Sequence, residues 1–585
     1  MFGRIIRIED KKVIVENLKN EILSNLIGYH VVFEDTKKMV GEIVYVDKKE
    51  FHINLIGEIV NNNLIPGVMK YPLGTATTRI VYKNELELII GSQEVNIPKN
   101  LLLGKSNVYD QFVVSVNTSD FFSNHFAIIG NTGSGKSCGV ARLIQNLFSE
   151  AKTNPNNSHI IIFDTYGEYQ SALTKINTHP GINTKQYTTS LKELNNNTEI
   201  IKIPPYLLDV DDLALLLNIN DSGLIPVLEK TLSYVYIFKS NDDICKKYKN
   251  DIIAKCFLDL LSSGKPPQQI RDQVIAFLSK YNTDEINLET IISQPGLNRT
   301  IRQCLNIDPQ GKMLALELLV TFLKKYSEVN IDNIIKTPTE YTLDDLYYAM
   351  EFAIVSEGAF NNNAIYEKVN QLKTRLHSFI NGEYKQYFEY SGFISLENYV
   401  KKLFMTSDSE NAQIVDVNFN YIDDRLAKNL VKIFSKMFYK YTVNLEDRGS
   451  YPINIIIEEA HRYIQKDNDI EILGYNIFDR IAKEGRKYGL LLGLITQRIS
   501  ELSSTVLSQC SNFIIFRMYY PEDIKIVSSI ASNVTMDAIE KLKSLTQGMA
   551  LVFGISFKIP LITYFAIPNP MPTSTSVNIN EKWYQ

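Results

Sequence analysis

One octapeptide restricts this chain more than any other stretch: Gly130, Asn131, Thr132, Gly133, Ser134, Gly135, Lys136 and Ser137 fit G-x-x-x-x-G-K-[ST]. Glycines at these places let backbone N–H groups wrap phosphate oxygens, and the helix that follows offers its N-terminus to the same anion. Lys136 is placed to reach β- and γ-phosphates, and Ser137 to give a hydroxyl to Mg²⁺. Such a pattern arises by chance roughly 0.02 times in a chain of this length. The context is the required one, an apolar run at 126–129 before it and an amphipathic segment at 139–148 after it. ATP and Mg²⁺ are the expected ligands.

A phosphate cradle hydrolyses nothing without a group that directs water. The apolar run 453–457 ends in Glu458 and Glu459, and carboxylates at the carboxyl end of a parallel strand face the nucleotide. Neighbouring side chains leave a strand on opposite sides. Glu458 is therefore expected in the Mg²⁺ shell and Glu459 at the attacking water; the competing reading is an acidic helix start. The run 490–496 ends in Gln497 and Arg498. Gln497 there would sense γ-phosphate or orient water, unless it is an ordinary polar strand end. Arginines matter because a guanidinium stabilises charge on the transferred phosphoryl group. Arg480, Glu484 and Lys487 share a helix face as an ion-pair ladder. Arg486 lies off that face and is the first arginine-finger candidate, against a cation favoured by the helix dipole. Arg517, ending the run 512–516, is the second. Asp164 to Tyr169 follow another apolar run, with carboxylates that would position Mg²⁺-bound water or couple to a neighbour. His461 reads as a solvated histidine on a helix.

At 585 residues the chain is expected to hold roughly three to four domains. Short apolar runs at 4–8, 12–15, 29–33, 40–46 and 51–59, punctuated by glycines, suit a small N-terminal β-barrel over 1–101. An α/β core with a parallel sheet begins over 102–205 and resumes over 391–567, where compact apolar runs recur at 413–417, 453–457, 490–496, 512–517 and 549–553. Between them, 206–390 carries apolar residues at helical spacing and reads as a helical insertion. Lys246, Lys247 and Lys249 there read as a solvated helix face. Residues 568–585, with three prolines, read as an extended arm. The fold class is α/β, a RecA-like P-loop ATPase core with a β-barrel and a helical insertion.

A formal net charge of −5 argues against a globally basic nucleic-acid binder and leaves room for a local basic surface. The five cysteines form no C-x-x-C pair, so reduced thiols in the cytoplasm are expected. No apolar run reaches the roughly 20 residues of a membrane helix, and the charged start (Arg4, Arg7, Glu9, Asp10) is no signal peptide.

Four segments occur in a telling order: residues 163–169 (Phe-Asp-Thr-Tyr-Gly-Glu-Tyr), 457–462 (Ile-Glu-Glu-Ala-His-Arg), 481–489 (Ile-Ala-Lys-Glu-Gly-Arg-Lys-Tyr-Gly) and 495–502 (Ile-Thr-Gln-Arg-Ile-Ser-Glu-Leu). Together with residues 507–512, Arg517 and residues 521–523, they resemble the HerA branch of the HerA–FtsK ATPases. The sequence departs from that pattern at Ile499, where the family often has Pro, and at Tyr166, where it often has His. The resemblance implies a homo-hexameric ring that moves double-stranded DNA by ATP hydrolysis, with nucleotide between subunits and Arg486 acting on the neighbour's ATP. It implies a tail that braces the adjacent protomer. It also implies work with a partner nuclease in end processing, or with a nuclease or sirtuin-like effector in anti-phage defence, and no direct membrane contact. Two other readings share the core: a ring scaffold that assembles and activates an effector with little motor activity, and a membrane-linked conjugation or secretion ATPase.

Overall fold

The computed structural model describes the chain except for residues 1, 10–11, 19–25, 69, 92–98, 110–111, 149–153, 195–197, 241, 295, 328–338, 357–362, 466–468, 532–533, 574–578 and 585. It divides into two compact units. The first comprises Met1–Ile201, Leu396–Asp467 and Tyr475–Gln585; the second comprises Lys202–Ser395 and Asn468–Gly474.

The first unit is built on a sheet of twelve strands. Eight neighbours in it are parallel, in the spatial order Thr198–Ile200, Thr184–Thr188, Ile414–Asn418, His159–Asp164, Ile453–Ile457, Leu490–Thr496, His125–Ile129 and Cys510–Phe516. Every residue of His125–Ile129, His159–Asp164 and Leu490–Thr496 is buried. Covered parallel strands lack the alternation of a half-exposed sheet, which is why they read as continuous apolar runs. Four antiparallel strands extend the sheet: Met549–Gly554, Leu561–Tyr564, Asn100–Ser106 and Val113–Asn117.

The crossovers decide what stands beside what. His125–Ile129 pairs with Leu490–Thr496 on one side and Cys510–Phe516 on the other, with Ile129 opposite Thr496 and Ile515. Ile453–Ile457 lies one strand further out, with Ile457 opposite Leu494. The end of Leu490–Thr496 is thus wedged between the two strands whose ends carry the phosphate motif and the paired glutamates.

A second, antiparallel sheet has seven strands among the described residues, Ile5–Glu9, Lys12–Glu16, His30–Glu34, Lys38–Val46, Glu50–Val60, Asn63–Pro66 and Thr77–Ile80. The Phe2 N–H donates to the Thr78 carbonyl at 2.7 Å and the Gly3 N–H to the Thr78 hydroxyl at 2.9 Å. These bonds bring the chain start to the far edge strand and curl the sheet around Val13, Val31, Phe33, Ile43, Phe51 and Ile53.

The second unit is helical, with Ile225–Lys239, Asp243–Leu261, Pro267–Lys280, Leu316–Lys324 and Leu343–Ser356 among its helices. They enclose a core that includes Phe257, Val274, Phe277, Leu319 and Phe352. A hairpin, Ile291–Gln294 with Leu297–Thr300, interrupts it. Lys246 and Lys247 are exposed, while Lys249 is half-buried with its ammonium 5.5 Å from the Phe238 ring centroid. Among the described residues no helix is long and apolar enough to cross a membrane.

The tail is not extended throughout, because Ile579–Trp583 make one helical turn. Residues 574–578 and 585 lie outside the described residues. Its first part packs on its own core: Asn569 N–H donates to Gln145 Oε1 and Thr573 N–H to the Glu168 carbonyl, at 3.0 and 2.8 Å.

Candidate nucleotide site at the carboxyl edge of the parallel sheet

The loop after Ile129 is tied down on three sides. Gly130 N–H donates to the Thr496 carbonyl, Asn131 N–H to the Arg517 carbonyl, and Gly548 N–H to the Ser134 carbonyl, at 3.1, 3.0 and 3.0 Å. Two glycines are obligatory for distinct reasons. Gly135 opens the helix Lys136–Leu147 at φ +95°, and a Cβ there would stand 2.7 Å from the Gly548 nitrogen. At Gly130 a Cβ would stand 2.6 Å from Phe516 Cβ and 2.7 Å from Ser134 Oγ. Ser134 Oγ is buried with no hydrogen-bond partner. The loop therefore keeps an unsatisfied hydroxyl beside a helix N-terminus, a cradle suited to an anion.

Glu459 is where the motifs meet. Its Oε1 accepts from Gln497 Nε2 at 2.8 Å and from Lys136 Nζ at 3.3 Å. Gln497 Oε1 in turn accepts from the Thr132 hydroxyl at 2.8 Å. Thr132, Lys136, Glu459 and Gln497 thus form one connected cluster, in which the phosphate motif meets two strand ends more than 300 residues away in sequence. Glu459 has left-handed backbone angles, φ 47° and ψ 45°, which are uncommon for a residue with a Cβ. That twist turns the chain out of the strand into the short 3-10 helix Ala460–Arg462.

Glu458 turns into a different environment. Its Oε2 accepts from Thr165 N–H at 3.1 Å, and its carbonyl accepts the Thr165 hydroxyl at 3.0 Å. Burial, with Asp164 beside it, pushes the Glu458 carboxyl well above the ordinary range. Asp164 itself is consumed by its own loop: Oδ1 accepts from Tyr166 and Gly167 N–H, Oδ2 from Tyr169 N–H, at 3.2, 2.8 and 2.8 Å. The carboxylate of this loop that reaches the phosphate motif is Glu168, hydrogen-bonded to Ser137; burial raises its pKa and that bond opposes the rise.

The two arginine candidates lie apart. Arg517 stays with its own chain's loop, its Nη2 3.4 Å from the Gly133 carbonyl and its guanidinium 5.5 Å from the Tyr519 ring centroid. Its Nε is buried without a partner. Arg486 is exposed, in the turn Gly485–Tyr488 that precedes Leu490–Thr496. It therefore sits at the amino end of a strand whose carboxyl end carries Gln497. Seven residues of strand put roughly 20 Å between the two ends. The fold does not bring Arg486 to this chain's own phosphate loop.

The expectation of a solvated His461 fails. Its side chain is 13% exposed, with Nδ1 3.0 Å from Thr496 Oγ1 and 3.2 Å from Glu459 Oε2. Burial lowers its pKa below the ordinary value. Thr132 was legible only as part of the loop motif. The sequence signal for His461 was its place two residues after Glu459, but burial depended on a neighbouring strand.

Residues 102–311 match the family described as the central domain of the helicase HerA. A probable helicase of Methanocaldococcus jannaschii is 25% identical over 92% of this chain and 88% of its own. The DNA double-strand break repair helicase HerA of Pyrococcus furiosus is 24% identical over 93% of this chain and 82% of its own. Among solved structures, VirB4 of Thermoanaerobacter pseudethanolicus is 15% identical, covering 80% of this chain and 97% of its own, with a TM-score of 0.42.

Proposed function

The chain is a HerA-like family member, and from that premise we propose that it is an ATPase that drives movement along double-stranded DNA. The observation that carries the catalytic part is the convergence of Lys136, Gln497 and, through Gln497, Thr132 on the Glu459 carboxylate. The names of relatives that span most of the chain, DNA double-strand break repair helicases among them, support the DNA part.

In this reading the loop 130–137 binds the phosphates and Lys136 pairs with the β- and γ-phosphates. Glu459, oriented by Gln497, draws the proton from an attacking water. The water oxygen bonds to the γ-phosphorus, the bond to the β-phosphate oxygen breaks, and ADP and phosphate leave. The donor chemistry here fits Mg²⁺, since Ser137, Glu168 and Glu458 are hard oxygen groups and this ion commonly takes one or two carboxylates together with phosphates. When bound, Mg²⁺ supplies neutralisation of phosphate charge. Arg517 is proposed to stabilise the loop in cis. Arg486 is proposed to act on a neighbour's nucleotide in a homo-hexameric ring, which its position at the far end of the sheet favours. The division at 101, 205, 390 and 567, a cytoplasmic location, and a nuclease or sirtuin-like partner in end processing or anti-phage defence belong to the same proposal.

The test is the steady-state ATPase rate with and without linear duplex DNA at two salt concentrations. Strong stimulation that fades with salt is expected for a motor contacting phosphates. The net charge of −5 favours one rival, a ring scaffold for an effector, and an absence of stimulation at either salt would select it.

A further inference from the structure

We infer that His461 is a positioning residue for Glu459, setting the orientation of the carboxylate that receives the water proton. The inference rests on the reading of Glu459 given above. It starts from an asymmetry. Oε1 of Glu459 receives Gln497 Nε2 and Lys136 Nζ, whereas Oε2 is buried and has no hydrogen bond of ordinary geometry. The group that stands at Oε2 is the imidazole of His461, with Nδ1 3.2 Å away.

The same nitrogen is 3.0 Å from Thr496 Oγ1. Thr496 is fully buried at the end of its strand, and its oxygen is anchored by Arg498 N–H at 3.1 Å. His461 therefore spans two strand ends, standing between the anchored hydroxyl of one and the carboxylate of the other. A nitrogen facing two oxygens carries the proton, because a lone pair aimed at a carboxylate would repel it. Burial lowers the pKa of the ring, and Nδ1 is the ring atom that faces both oxygens.

The need for such a donor follows from Lys136. A lysine drawn to phosphate leaves Oε1 with Gln497 alone, and the Glu459 carboxylate then has one hydrogen-bonded oxygen. The imidazole stands at the other. The side-chain oxygens beside Nδ1 of His461 belong to Glu459 and Thr496, so its effect is assigned through Glu459.

The experiment compares ATP turnover and ATP affinity in the full-length protein carrying His461→Ala, His461→Asn or His461→Gln. His461→Ala is expected to lower kcat about tenfold, roughly 1.4 kcal/mol of transition-state stabilisation, with KM for ATP within about twofold of wild type. His461→Asn can present an amide N–H near the position of Nδ1 and is expected to restore most of kcat. His461→Gln, whose amide lies one methylene further out, is expected not to. Wild-type kcat in His461→Ala overturns the inference. Equal losses in His461→Ala and His461→Asn with ATP affinity kept also overturn it, as does a loss of ATP affinity in step with kcat. Normal turnover in Glu459→Gln would remove the reading of Glu459 itself; it is read on a separate variant, whereas slow turnover in Glu459→Gln with wild-type kcat in His461→Ala overturns only the inference about His461.

Discussion

Glu459 is tied to Lys136 and Gln497, to Thr132 through Gln497, and has His461 alongside, so single side chains here have separable effects. Lys136→Ala is expected to lower kcat/KM for ATP by about a hundredfold or more, since it removes the cation that meets phosphate charge. Glu459→Gln keeps the hydrogen bonds but loses the base, so it is expected to bind ATP normally and retain it unhydrolysed; filter retention of labelled nucleotide reads this directly. Gln497→Ala cuts the link from Thr132 to Glu459 and is expected to lower kcat about tenfold with little change in ATP affinity. Gly135→Ala is expected to abolish ATP binding, because its Cβ would collide with the Gly548 backbone at a φ of +95°. Fluorescent nucleotide titration checks it against an unchanged circular dichroism spectrum.

At the scale of elements, the strand Cys510–Phe516 supports the phosphate loop from beneath. Phe516 is fully buried, packs at Gly130 and Gly139, and meets the Phe565 ring at a 49° tilt with centroids 5.3 Å apart. Phe516→Ala is expected to destabilise the protein by about 3–5 kcal/mol, seen as a lower denaturant midpoint together with weaker ATP binding. The strand Ile414–Asn418 carries a second, opposite effect. Asp416 is fully buried, opposite Ile162 and Gln186, and burial with Asp164 nearby pushes its carboxyl well above the ordinary range. A carboxyl raised in the folded state favours folding at low pH, and that contribution is lost as pH climbs above the unfolded value near 3.8. Asp416→Asn removes the charge that must be suppressed, so it is expected to raise the thermal midpoint at pH 8 and change it little near pH 3.

For the whole molecule, the distance between Arg486 and its own phosphate loop is the decisive feature. Arg486→Ala is expected to abolish hydrolysis while sparing nucleotide binding. Mixing Arg486→Ala subunits with Glu459→Gln subunits is expected to recover partial turnover, because some interfaces then pair an intact glutamate with an intact arginine. A mixture as inactive as its parts would contradict action in trans. The acidic balance of −5 is compatible with a DNA channel, since a few lysines from each of several subunits sum at one axis.

The α/β class was legible because it depends on local chemistry. A parallel strand buried on both faces must be a continuous apolar run, and a loop that wraps phosphate must have glycine where Gly130 and Gly135 stand. The order of the runs around residues 126–129, 453–457 and 490–496 was equally plain. What only the tertiary structure decided was which side chains share a space. Gln497 meets Thr132 across 365 residues of sequence, and Lys136 meets Glu459 across 323. Those contacts come from the spatial order of strands, which wedges Leu490–Thr496 between the other two and is set by crossovers that leave no local trace. His461 shows the same limit at a single residue. Its sequence neighbours are those of a surface histidine, and Thr496 from the adjacent strand is what closes over it.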